Sequence, residues 1–367
     1  MQKINLCAIF GKKADFGAIF DLVAKAVILL LAVFIMVYSS YDRLFAFSEK
    51  ENVPTRDELE AGAEELPPAY RDIIFEREYP LGLGIYDTIF SDESVTVPKG
   101  ELKISATDLS KNPMPDQIYF KNKTAYDINI SKFLTAYGAS IEVSKSDYDM
   151  TKPLVLIYHT HGTEGYAEEG KVSYSASKLP RSTDITKNVV AVGTYLTEIL
   201  NANGIPTVHD TTMHDNGSYN TAYTNSAKSV KEYLKKYPSI KYAFDIHRDA
   251  LVGDTVVYKT LTYDESTPTA QLMFVVGTDE AGADHDGWRR NLSFAVNAQH
   301  FLISRLNNIA RPMSIRRSAY NQHYAHIGAL IEVGTCANTL AEAKAATEIL
   351  GEVLSGMILS GVPLYGE

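Results

Sequence analysis

From residue 151 to the C-terminus the sequence predicts an α/β fold, an open, mainly parallel sheet with helices on both faces. Two observations carry this. Short runs such as LVLIY at 154–158 and, after Gln271, LMFVVG at 272–277 are strand-length and apolar, as strands covered on both sides are. Longer stretches with helical spacing separate such runs, and that alternation is the pattern of parallel pairing. Taken in order, LVLIY is a buried strand. Residues 188–203 are a helix, with polar residues at 182–184 to cap it and Gly204 to end it. A short strand follows around Thr207, then a helix at 226–236 stopped by Pro238, then the strand YAFDI at 242–246. VVYKTLTY and QLMFVVG are two further strands, and 288–308 is a long helix. MSIRR and ALIEV are strands, and a helix at 339–359 closes the chain. In sheets of this kind ligands bind outside the carboxyl ends of the strands.

The first 150 residues read differently. AKAVILLLAVFIMVY at 24–38 holds Lys25 as its only charge, and the wider segment 22–41 is expected to be a single transmembrane anchor. Lys3, Lys12, Lys13 and Lys25 lie before it or at its start, which keeps residues 1–21 cytoplasmic and carries the rest outward. A cleaved signal peptide is the alternative, and it too exports the globular part. Residues 42–94 are acidic and poorly periodic, a stalk or linker, and 95–150 alternate polar and apolar residues as a small strand-rich module does. A net charge of −10 and the lack of any long Lys/Arg run exclude nucleic acid as the main partner. The two cysteines, Cys7 and Cys336, flank the apolar segment, so an ordinary core rather than a disulfide framework must hold the outer part together.

Three polar clusters fall at strand ends. His161 and Glu164, in HTHGTE after LVLIY, stand three residues apart on one tight loop, where imidazole and carboxylate can reach the same ion. Zinc takes such ligands, and a catalytic zinc needs three from the protein plus an open position. His247, in DIHRD after YAFDI, is the expected third, with Asp245 or Asp249 to orient its ring. Arg248 is then available to a substrate carboxylate. Glu332, in the apolar run ALIEV, is expected to be partly desolvated and so suited to act as general base. His159 competes with His161, and the HxxE spacing favours His161; Asp210 or His209 is the reserve should Glu164 not bind. Cys336 as a nucleophile is weaker than Cys336 as a packing residue. His214, His285, His300, His323 and His326 have no comparable partners and read as surface or structural residues.

The segments LVLIYHTHGTEGY, YAFDIHRDA, GWRRNLSFA and YNQHYAHIGALIEVGTCANTLAEA, with NKTAYDINISKFL before them, closely resemble the stage II sporulation protein P family over roughly residues 122–361. The resemblance implies a fold like that of zinc N-acetylmuramoyl-L-alanine amidases and cleavage between muramic acid and the stem peptide, with cross-link cutting as a further activity. It places His161 and His247 on the family's histidine motifs and Glu332 on its general base, and Glu164 also matches. Related amidases draw their carboxylate ligand from the start of the first helix, here near 184–188, where no Glu stands. The resemblance further implies septal peptidoglycan as substrate during engulfment, partnership with stage II sporulation proteins D and M, and a single-pass membrane location with the catalytic part extracytoplasmic. Arg248 would steady an oxyanion or a stem-peptide carboxylate, and Trp288, Asn321 and Gln322 would line the glycan groove. The rival readings are a zinc carboxypeptidase or endopeptidase and a non-catalytic wall-binding protein.

Overall fold

The computed structural model describes residues 97–110, 118–134, 148–175 and 178–361. The expected cytoplasmic segment, anchor and stalk at 1–94 lie outside them, as do residues 135–147 of the expected module at 95–150. Among the described residues no helix is long and apolar enough to cross a membrane.

The elements run β1 (Glu101–Thr107), β2 (Phe120–Asn122), β3 (Val155–Tyr158), β4 (Ser173–Ser175), α1 (Val189–Ala202), β5 (Thr207–His209), α2 (Ala222–Lys236), β6 (Tyr242–Asp249), β7 (Leu251–Val252), β8 (Val256–Asp264), β9 (Thr267–Ala270), β10 (Leu272–Gly277), α3 (Trp288–Arg305), β11 (Met313–Arg316), β12 (Ile327–Thr335) and α4 (Leu340–Ser360). The larger sheet has the order β2-β11-β10-β12-β6-β3-β5. Every neighbouring pair in it is parallel except β10 with β12, as the alternation of strands and helices predicts.

The chain leaves β3 through α1 to reach β5 on one side, then returns through α2 to β6 on the other. Opposite directions put the two helices on opposite faces and open a crevice at the carboxyl end of β3. Side-chain alternation divides the core accordingly. Val155, Ile157, Phe244, Ile246 and Ile331 pack with α1, α3 and α4, while Leu156, Tyr158 and Ala243 pack with Val230 of α2. Asp245, His247 and Glu332 therefore lie on the face that α2 covers.

The helix ends follow local chemistry. Asn188, not residues 182–184, caps α1 by accepting from the Val190 amide. Thr339 and Glu342 form a reciprocal capping box at the start of α4, and Gly361 ends it in the left-handed region at φ 60.

The sequence misplaces one boundary. The stretch at 95–150 does contain strands, but they form no separate module: β2 is the edge of the larger sheet beside β11, and β1 runs parallel to β8. β1 thus belongs to a second sheet of order β4-β1-β8-β7, with β9 paired to β8. Alternation identifies a strand, not its partner across more than a hundred residues.

Candidate active site

The loop after β3 and the end of β6 meet in the crevice. β6 is longer than the apolar run YAFDI and continues to Asp249, so His247 sits within the strand and is only 3% exposed. His161 and Glu164 are buried as well. The His161 and His247 rings stand 5.4 Å apart at 84°, and Glu164 Oε2 lies 3.4 Å from His247 Nδ1. Two imidazoles and one carboxylate are thus drawn together from two elements. Glu332, partly buried on β12, is in register with His247 of the neighbouring parallel strand, so both side chains leave the sheet on the same face.

Each of the two histidines has a buried carboxylate behind it. Asp245 is fully buried, accepts the Thr160 amide at 2.8 Å and its hydroxyl at 2.6 Å, and lies 2.9 Å from His247 Nε2 without hydrogen-bond alignment. Asp215 accepts the Thr163 amide at 3.0 Å and lies 3.8 Å from His161 Nδ1. The charges follow from this. Burial lowers the His161 pKa to about 4. Burial would also lower that of His247, but Asp245 and Glu164 outweigh it and raise the value well above the ordinary one. Burial works against ionised Glu164, yet Arg248 first and the two histidines next hold its carboxyl far below the usual range.

Aromatic rings wall the site. Tyr219 stacks flat on His161, with centroids 4.2 Å apart and an interplanar angle of 4°. Tyr223 meets the same ring edge-on, and Tyr320 packs on Tyr223. Tyr219, Tyr223, Asp215 and Arg181 belong to loops or to one end of α2, where no apolar run marks them in the sequence. The only signal was their nearness to HTHGTE once folded.

The donor set suits a metal ion in kind: two imidazoles and a carboxylate match zinc. His161 Nδ1 is buried and hydrogen-bonds nothing in the protein, as a ring nitrogen awaiting another partner would, while His247 turns Nε2 to Asp245 and Nδ1 toward Glu164. Among the described residues no group of three or more His, Cys, Asp or Glu side chains is already gathered tightly enough to be a preformed metal site. The residues fit the ion by chemistry and burial, and their side chains are paired with each other instead.

Several expectations need correction. Arg248 is not available to substrate. It is 3% exposed, donates from Nε to the Gly165 carbonyl at 3.0 Å and from Nη2 to the Pro180 carbonyl at 2.8 Å, and faces Glu164. Adjacency to His247 suggested the crevice, but successive residues of a strand face opposite sides of the sheet. Asp249 orients Arg311, at 3.0 Å, and not His247. Trp288 is buried and stacks on Tyr126, and Gln322 bonds the backbone of Val275 and Gly277, so neither lines a groove. Asn321, at φ 59, bonds Tyr223 O and Ser226 and braces α2.

His159 points away from His161 into the core. It is fully buried, its Nδ1 bonds the Ile246 carbonyl at 2.9 Å, and its Nε2 meets His209 Nε2 at 2.8 Å. Nδ1 must donate to that carbonyl, so Nε2 accepts from His209. The reserve ligands are committed as well, His209 to His159 and Asp210 to His214 at 3.2 Å. Cys336 is buried among apolar neighbours.

The sequence model of the family described as Stage II sporulation protein P matches residues 91–355. Stage II sporulation protein P of Bacillus subtilis (strain 168) is 24% identical over 263 residues, covering 68% of this chain and 62% of that protein. The chain therefore matches less than two thirds of that relative's length. Among solved structures, the CwlD amidase from Clostridioides difficile, in complex with the GerS lipoprotein, is 15% identical with TM-score 0.37, covering 57% of this chain and all of that one, 100%. The catalytic domain of CwlV, an N-acetylmuramoyl-L-alanine amidase from Bacillus (Paenibacillus) polymyxa var. colistinus, is 16% identical with TM-score 0.34, covering 57% and 99%. Likenesses this distant carry nothing about activity.

Proposed function

This chain belongs to the Stage II sporulation protein P family, and on that premise we propose that it is a membrane-anchored cell-wall hydrolase, a zinc-dependent N-acetylmuramoyl-L-alanine amidase acting on septal peptidoglycan during sporulation. The observation that carries the reading is the meeting of His161, Glu164 and His247 in the crevice beyond β3, with Glu332 in register beside His247. A binding surface has no need of two buried imidazoles and a carboxylate braced by two further buried carboxylates.

In this reading His161, Glu164 and His247 hold the ion. Zinc supplies Lewis acidity there. Glu332 accepts the proton of the attacking water and returns it to the leaving amine. Asp245, fixed by both donors of Thr160, sets the His247 ring, and Tyr219 and Tyr223 shield His161 from bulk solvent. The anchor at 22–41 would hold the catalytic part outside the cytoplasm, and stage II sporulation proteins D and M are the partners the resemblance to the family implies.

The test is digestion of purified peptidoglycan by the full chain in detergent, with and without zinc and a chelator, followed by mass analysis. Free stem peptides with an exposed alanine amine, lost on chelation and in Glu332→Gln, are expected. Cross-link cleavage alone would make it an endopeptidase, and wall binding without zinc or hydrolysis would make it a binding protein.

A further inference from the structure

With Arg248 buried, the crevice keeps a different cation at its mouth. Residues 180–182 form a strap laid antiparallel against the HTHGTE loop. The Gly165 amide donates to the Pro180 carbonyl at 3.1 Å, the Ser182 amide to the Thr163 carbonyl at 2.9 Å, and Glu164 bridges Arg181. Arg248 fastens both sides of this pairing, since it donates to Gly165 and to Pro180. The strap presents Arg181, whose side chain is 41% exposed.

Arg181 is held along one edge only. Its Nη1 donates to Asp215 Oδ2 and to Thr163 Oγ1, both at 2.8 Å, and its guanidinium lies 5.1 Å from the Tyr219 ring. Among the described residues no protein acceptor reaches its Nε or Nη2. Asp215, whose side chain is fully buried, stands between this guanidinium and His161 Nδ1, and Tyr219, itself half exposed, stacks on the His161 ring. A planar cation is thus oriented beside a ligand candidate with two donors to spare, the arrangement that takes a carboxylate in a paired contact.

We propose that Arg181, backed by Tyr219, binds a carboxylate of the substrate's peptide stem next to the scissile amide and so makes the site specific for stems that carry that charge. The inference rests on the hydrolase reading, because it takes the substrate from it. In a peptidoglycan stem the residue after the first alanine is joined through its side chain and leaves its α-carboxylate free, about one residue from the bond to be cut. A fork contact there fixes the register of the stem and brings the scissile amide toward His161 and Glu332.

The experiment measures binding, not turnover. Full-length Glu332→Gln protein in detergent is titrated calorimetrically with a muramoyl dipeptide whose glutamyl side-chain carboxyl is capped as an N-methylamide, as the stem linkage caps it, and whose α-carboxylate is free, and with the same ligand amidated at that α-carboxylate. The free acid is expected to bind about tenfold more tightly, equivalent to about 1.4 kcal/mol. Adding Arg181→Gln should bring both ligands to the affinity of the amide. Arg181→Lys, which keeps a charge against Asp215 without the fork, should lose most of the discrimination and retain the wild-type melting temperature. Discrimination that persists in Arg181→Gln, or equal binding of both ligands by the Arg181 protein, overturns the assignment. Failure of that protein to bind either ligand overturns the hydrolase reading and this inference with it.

Discussion

Replacing Gly193 by alanine tests whether α1 is packed against the buried histidine pair as the structure has it. Gly193 lies on the buried side of α1, and a Cβ built there would stand 2.5 Å from His159 Nε2, 2.6 Å from its Cε1 and 2.8 Å from His209 Nε2. His159 cannot retreat, because it is fully buried and its other nitrogen is fixed on the Ile246 carbonyl. The added methyl group therefore overpacks the site, at about 1–3 kcal/mol. Separating His159 from His209 costs about 1 kcal/mol more. Alanine in a helix interior returns about 1 kcal/mol relative to glycine. The net expectation is a loss of about 2 kcal/mol, which for a domain of this size lowers the thermal midpoint by roughly 4–8 °C. Gly356 on α4 supplies the control: a Cβ there meets nothing within 4 Å, so Gly356→Ala keeps the propensity gain of up to about 1 kcal/mol. Thermal and urea melts followed by circular dichroism measure both. A Gly193→Ala protein as stable as the wild type, or more so, would refute the placement of the histidine pair under α1.

Asp249→Ala removes the carboxylate that Arg311, fully buried, contacts at 3.0 Å, and should cost about 3–5 kcal/mol in urea unfolding. Arg248→Ala should abolish hydrolysis and lower the melting temperature together, because it frees the strap and leaves Glu164 without its cation, whereas Arg181→Lys should melt normally. Metal-free protein should lose stability as pH falls from about 6.5 toward 4. Burial depresses His159 to about 4 and His209 to about 3, so the unfolded chain takes up protons that the folded one refuses, at up to about 1.4 kcal/mol per pH unit for each group. His247 has the opposite sign, its raised pKa contributing stability below 6.5 that is lost as pH rises through the folded value, so it does not mask the acid effect. Urea midpoints that do not change between pH 7 and pH 4.5 would show that these histidines are not buried neutral.

What was legible in the sequence followed from burial that repeats along the chain. LVLIY is apolar throughout, and QLMFVVG and ALIEV are apolar but for Gln271 and Glu332, because their strands are covered on both faces, and all three appear as strands of the larger sheet. His161, Glu164, His247 and Glu332 could be singled out because each interrupts or directly follows such a run. Less was legible wherever the answer depended on a distant partner. β1 and β2 alternate like any half-buried strands, and nothing in their own residues names β8 or β11. Asp215, Tyr219 and Arg181 stand in polar loops whose composition is that of ordinary surface. Arg248 misled because its neighbour His247 faces the crevice, and in a strand the next side chain turns to the opposite face.

That alternation also explains how one strand serves both core and site. Along β6, Phe244 and Ile246 join the core under α1, α3 and α4, and the residues between and after them, Asp245 and His247, face the crevice. A slip of one residue would bury the charges among aliphatic side chains and expose Phe244, so the core holds the site in register. β12 has the same constraint up to Glu332, paired with His247, but Thr335 pairs with Asp249, three residues against two. The extra residue is a bulge, and Gly334 within it sits at φ 65, where a Cβ would come within 2.9 Å of Ala270 and Asn338. The bulge lets β12 keep Glu332 beside His247 and then turn Thr335 toward Asn338, which accepts the Thr335 amide at 2.9 Å and leads into the capped start of α4. Register with β6 and the bulge after Glu332 thus hold the expected base and the expected ligand side by side, with no direct contact between the two required.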